Sequence, residues 1–430
     1  MRSGTAPSGL RYAVRRSASS VGWCALSIRC GTRDEAGFRG GIAHFTEHTI
    51  FRGTKRKSAS VIGSYLDRLG GELNAYTTKE EIVLHATVLK EDLGKAARLL
   101  FELATEPTFP DDEIETERSV VLDEIISYKD NPVEDVYDKF EGMLFEGHPL
   151  GSPILGTTAS VRRITPEDLR RFVRTFFTPD RMAFTVVADV DEKVLERRVL
   201  RLAEKLFGGS DFSTRPDGLG RNDSAGEAAS VISSEGEAGV EKSAWPRPFD
   251  KTVDKRNHEV NAVIGNRAPS LYEEEDRITA AVLCNILGGP ASNSLLNKEL
   301  REKNGWVYGV ACSYTQYADT GIAAISFGCD KPNLERCLQT LDKILERLRE
   351  APLSERFLKA AKRQLLGQIA ISSASGEAQC LSMGKSLLSW GRIDSSAETR
   401  ARIEAVTPEA LQKMARRLFD PASLSRLIYL

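Results

Sequence analysis

The sequence predicts an α+β protein of two homologous domains, each a mostly antiparallel sheet packed with helices, joined by a linker. Three observations carry this. A chain of 430 residues exceeds what one hydrophobic core usually organises. The stretch from Gly208 to Pro248 is rich in Gly, Ser, Glu and Asp and poor in apolar residues, so it packs no core of its own. On either side, strand-like and helix-like patterns follow one another in a similar order. Domains are therefore expected over residues 1–207 and 250–430, with 208–249 as a flexible linker.

Taken in order, Tyr12 and Val14, then Val21, Trp23, Ala25 and Ser27, keep the two-residue alternation of strands. The serine-rich Ser17 to Ser20 between them suits a hairpin loop. Gly40-Gly41 precedes a short helix carrying Ile42, His44, Phe45, His48 and Ile50, and a second helix is expected from about Ala59 to Leu69. Gly70-Gly71 stops it. Glu72 to Leu89 then gives alternating strand material around a polar turn at Thr77 to Glu80, followed by helices over about Glu91–Ala104 and Asp111–Lys129. The second half repeats this loosely: helix Ser292–Glu302, strands from Trp306 to Phe327, and helices Leu334–Arg349 and Ser354–Ala370.

With 59 Lys+Arg against 61 Asp+Glu, the chain has no overall field to draw in nucleic acid or an anionic membrane. Apolar runs such as Ala183 to Ala188 fall far short of the roughly 20 residues that span a bilayer. Seven cysteines, odd in number and without a CxxC pair, read as reduced core residues. The opening 33 residues carry arginines and serines but no acid, a composition shared with mitochondrial transit peptides. Their strand alternation favours structure over targeting. A cytoplasmic location is expected, with the mitochondrial matrix as the alternative.

His44-Phe45-Thr46-Glu47-His48 is the most informative stretch. Two histidines four apart on a helix project from one face and suit one zinc ion, one per chain. Glu47 lies three after His44 on the same side, where a carboxylate can take a proton from water activated by the metal. This order is the inverted form of the zinc peptidase motif His-Glu-x-x-His. A catalytic zinc needs a third protein ligand and an open position. On the helix Asp111–Lys129, Glu117 and Glu124 share a stripe with Ile114, Val121 and Ile125, so either carboxylate is a candidate, since charge on a core-facing stripe needs a partner.

At this point the sequence resembles the pitrilysin, insulinase and mitochondrial processing peptidase family of inverzincins over nearly its whole length outside the linker. Glu124 stands 76 residues after His48, the interval at which that family places its third ligand, and Glu117 matches a supporting Glu seven residues earlier. Gly70 to Thr77 resembles the family's edge strand, which implies that Asn74, Ala75, Tyr76 and Thr77 pair with extended substrate. Leu300 to Tyr308 resembles the segment whose Arg and Tyr contact substrate and the oxyanion, which implies those roles for Arg301 and Tyr308. Gly288-Gly289-Pro290 stands where relatives carry a glycine-rich loop, with a Pro that restricts it. His85, His148 and His258 fit no ligand spacing and read as structural or exposed.

The resemblance implies a zinc endopeptidase acting on unfolded peptides, with Glu47 as general base. Family members enclose the site with four homologous domains, and this chain supplies two, so a homodimer is expected, or a heterodimer with a related subunit. No nucleic acid or membrane partner is expected. The competing reading is a non-catalytic scaffold or partner subunit of the same family. Such proteins lose motif residues, whereas His44, Glu47, His48 and Glu124 are all present.

Overall fold

In the computed structural model, which describes residues 1–208 and 245–430, the chain builds two mixed sheets flanked by helices. The first has the order β1-β2-β6-β3-β5-β4. Its strands are β1 Arg2–Thr5, β2 Arg11–Arg16, β3 Val21–Ile28, β4 Glu72–Thr77, β5 Ile82–Leu89 and β6 Met182–Ala188. The second runs β7-β11-β8-β10-β9. It is formed by β7 Asp250–Val253, β8 Val260–Ala268, β9 Val307–Gln316, β10 Gly321–Cys329 and β11 Ser425–Tyr429. The sheets correspond strand for strand: β2, β6, β3, β5 and β4 in one, β7, β11, β8, β10 and β9 in the other. In each, the first pair is parallel and the rest antiparallel.

Several elements depart from the sequence expectation. Ser17 to Ser20 is no hairpin loop, because β6 lies between β2 and β3, parallel to one and antiparallel to the other. The fully buried run Met182–Ala188 fills that central place, where both faces of the strand need apolar cover. The helix expected over Ala59–Leu69 ends at Gly63 and resumes as a single turn, Asp67–Leu69, before Gly70 takes a left-handed conformation. The helix expected from Ser292 starts at Leu295 and opens into wide π turns over Asn297–Glu302. The linker segment 209–244 lies outside the described residues.

Each sheet packs one face on helices of its own half, giving two apolar cores. The other face is covered by exchange. Helix Pro132–Leu144, from the first half, lays Val136, Phe140 and Leu144 against Val263, Ile322 and Leu427 of the second sheet. Helix Gly376–Trp390, from the second half, lays Cys380, Met383 and Leu387 on Ala25, Val83 and Val187 of the first. The close approach depends on Gly376 and Gly384. A Cβ on the first would sit 2.3 Å from the Trp23 ring, and one on the second 2.4 Å from Ser27 Oγ. The reciprocal crossing ties the halves together through two apolar interfaces. All seven cysteines are free and buried. Among the described residues, no helix is long and apolar enough to cross a membrane.

Candidate metal centre

The helix Ile42–Thr49 exists because Ile42, Ala43, Phe45 and Thr49 are buried beneath it, while its first turn is closed from outside. The Glu35 carboxylate accepts hydrogen bonds from the Gly41 and Ala43 amides at 2.9 and 3.0 Å, groups that a helix start otherwise leaves unpaired. Burial pushes the Glu35 carboxyl up to about 7 against the pull of those amides and Lys79. Gly41 is left-handed at φ +87°, and a Cβ there would meet the Leu155 carbonyl at 2.7 Å. The loop Ile154 to Thr157 thus packs directly on the start of this helix.

One helical turn apart, the His44 and His48 rings lie with centroids 4.5 Å from each other. Opposite them, on helix Asp111–Asp130, Glu124 Oε2 stands 3.6 Å from His44 Nε2 and 3.5 Å from His48 Nε2. Ligand atoms of all three fall within 4.8 Å of one another, and no other such group is found among the described residues. His44 is only 6 % exposed, and burial, with His48 beside it, holds its imidazole down at about 3, so it is neutral. His48 Nδ1 lies 2.8 Å from Glu117 Oε1, which assigns the ring proton to Nδ1 and leaves a lone pair on Nε2. Burial works against a charged His48, but Glu117, Glu47 and Glu124 together raise it.

Two imidazole lone pairs and a carboxylate therefore face one point. Glu124 Oε2 is buried there without a hydrogen-bond partner among the described residues. With His48 neutral the three acceptors repel, and a bound cation resolves the arrangement. Tetrahedral zinc at about 2.0–2.1 Å from its ligands requires ligand atoms roughly 3.3–3.4 Å apart, close to the Nε2–Oε2 separations seen. The donor set and spacing fit zinc with one open position.

Glu47 flanks this point. Its Oε2 accepts from Thr77 Oγ1 at 3.3 Å, and burial raises its carboxyl above the usual range, with His48 opposing. Thr77 ends β4, whose outer edge pairs with no strand of the sheet. Along that strand Leu73 and Ala75 turn toward the first core, Asn74 is exposed, and Tyr76 leans on His85 at 6.2 Å. Glu117 is 4 % exposed, and its other oxygen is paired to Arg52. One turn past Glu124, Tyr128 lines a cavity of about 600 Å³ between the two halves, shared with Thr78, Lys79, Tyr137 and Tyr317.

Arg301 and Tyr308 are not brought to this centre within the chain. Arg301 is exposed on the π turns, and Tyr308, 58 % exposed, donates to Asp330 Oδ1 at 2.7 Å. The turn after β9 meets the turn after β4, where Ala318 N donates to Glu80 Oε1 at 3.0 Å. Tyr308 sits eight residues back along β9 from Gln316, roughly 26 Å from that junction. Of the remaining histidines, His85 pairs with Glu377 at 3.0 Å, His148 with Asp319 at 3.2 Å, and His258 is exposed. Sequence reasoning missed Glu35 and Arg52. Arg52, four residues after His48, had a helical-spacing signal; Glu35 had none.

The family model described as Insulinase (Peptidase family M16) matches residues 12–158, and that described as Peptidase M16 inactive domain matches 163–365. A Mycobacterium leprae protein named an uncharacterized zinc protease is 30% identical over 423 residues, covering 97% of this chain and 88% of its own. The chain belongs to the insulinase family of peptidases. A Streptomyces coelicolor relative with the same description is 29% identical, covering 97% of this chain and 86% of its own. Among solved structures, a Helicobacter pylori protease superposes with a TM-score of 0.85 at 20% identity, covering 100% of this chain and 98% of its own. The fold is thus that of the insulinase family. The match to its peptidase domain contains His44, Glu47, His48, Glu117 and Glu124.

Proposed function

We propose that this insulinase-family chain is a zinc endopeptidase that hydrolyses unfolded peptides, with His44, His48 and Glu124 as ligands of one zinc per chain. The observation that carries the reading is the position of Glu47, beside a three-donor acceptor set and in contact with the end of an open-edged strand. Zinc, when bound, supplies Lewis acidity, polarising the scissile carbonyl and acidifying water. Glu47, raised by burial, accepts the proton of the attacking water and delivers it to the leaving amine. Thr77 orients that carboxylate. The β4 edge at Asn74 to Thr77 offers unpaired amides and carbonyls to an extended peptide, which selects for backbone and against folded substrates.

Arg301 and Tyr308 act in this reading from a second copy. The distance of Tyr308 from the junction inside one chain supports it, as does the exposure of both residues. A twofold dimer then holds two sites, each taking Arg301 of the partner subunit and Tyr308 of the partner subunit to anchor substrate and stabilise the oxyanion.

The test combines zinc content with digestion of a mixed peptide library. Glu47→Gln is expected to keep stoichiometric zinc and lose hydrolysis by at least about 100-fold. His48→Ala and Glu124→Ala are expected to lose zinc. Wild-type turnover in Glu47→Gln would refute the mechanism.

A further inference from the structure

The metal-facing side of the chain does not end at Glu117. His44, His48 and Arg52 stand four residues apart in succession, so they descend one helical face, the last on the single turn Ile50–Arg52 that continues helix Ile42–Thr49. Across from them, Glu117 and Glu124 lie two turns apart on one face of the second helix. The two rows interlock. Glu124 faces His44 and His48, and Glu117 faces His48 and Arg52.

Glu117 is 4 % exposed; Oε1 accepts from His48 Nδ1 at 2.8 Å, and Oε2, which has no hydrogen bond among the described residues, is held by an ion pair with the Arg52 guanidinium. A carboxylate buried to this degree is costly to leave with an unpaired oxygen. Removing Arg52 would strip Oε2 of its partner and favour a turn of the carboxylate toward solvent, which would take Oε1 away from His48. The ring is then free to turn or to carry its proton on Nε2, the nitrogen aimed at Glu124.

We infer that Arg52 is a positioning residue for the metal centre, acting through Glu117 to fix the ring orientation and tautomer of His48. It touches neither the metal point nor substrate. This rests on the zinc-site reading above. The contact is an ion pair through one guanidinium nitrogen, so the positive charge of Arg52 is what holds Oε2.

The experiment measures zinc affinity by competition with a chromophoric chelator, in wild type, Arg52→Met, Arg52→Lys, Glu117→Gln and the double variant Arg52→Met/Glu117→Gln. Melting of each metal-free protein is followed in parallel. Arg52→Met is expected to weaken zinc binding about 10- to 100-fold, the range for losing a partner behind a metal ligand. Arg52→Lys should recover part of the loss. The double variant should bind no more weakly than the worse single one, because both changes break one chain of contacts. A merely structural ion pair would lower the melting temperature of the metal-free protein and leave zinc affinity unchanged, and that result overturns the inference. So does multiplicative loss in the double variant, which would place Arg52 on a separate route. A wild-type chain that takes up no zinc removes the zinc-site reading itself, and the inference with it.

Discussion

Lys79→Met tests how the two halves are locked beside the β4 edge. Lys79 is 3 % exposed in the turn after β4; its ammonium donates to the Ser152 carbonyl at 2.6 Å and pairs with Glu141 Oε2 at 3.3 Å. Glu141, 6 % exposed on the exchanged helix Pro132–Leu144, uses its other oxygen to accept the Tyr317 hydroxyl from the second half. Methionine keeps the stem's length and apolar cover but removes the charge. Glu141 is then a buried carboxylate with a single hydrogen bond, and the Ser152 carbonyl loses its donor. Breaking a buried pair from one side costs about 3–5 kcal/mol. With the halves tied into one cooperative unit of about 400 residues, each kcal/mol moves Tm by about 1–2 °C, so calorimetry should show a fall of roughly 3–10 °C. Adding Glu141→Gln removes the stranded charge while still accepting from Tyr317, and most of the loss should return. A single-variant cost below about 1 kcal/mol, or a double variant no more stable than the single, would refute the reasoning.

Three other outcomes are expected. In metal-free protein, His44 has its imidazole held at about 3 against 6.5 unfolded, so its share of stability is full above pH 6.5 and lost as pH falls toward 3. The loss should reach about 5 kcal/mol in urea titrations, and His44→Gln should flatten that pH dependence. In subunit mixing, Glu47→Gln and Arg301→Ala should each be nearly inactive, yet exchanged dimers should recover roughly a quarter of wild-type activity, since half are mixed and one site in each is intact. Verified exchange with no recovery would place Arg301 at its own chain's site. A stably folded domain should resist cleavage while its denatured form is cut, and equal rates measured where the fold holds would count against β4 as the docking edge.

What the sequence determined alone was local. The two-residue alternation of Val21 to Ser27, the polar turn between Glu72 and Leu89 and the helix Asp111–Asp130 are set by neighbours within a few residues, and the structure forms each of them. The His-x-x-Glu-His spacing placed both histidines on one helical face, and the stripe bearing Glu117 and Glu124 turned both carboxylates toward those histidines, Glu117 buried and Glu124 with its side chain still 41 % exposed. Only the tertiary structure decided which strands pair. Nothing near Ser17 to Ser20 tells that β6, more than 150 residues later, inserts between β2 and β3, because strand order is a contest among distant surfaces of similar local propensity. Likewise the exchange of helices Pro132–Leu144 and Gly376–Trp390, the Glu35 cap and the Arg52 contact each join groups from separate elements. A contact between elements is fixed by burial and complementary shape once the chain has folded, and sequence spacing encodes neither.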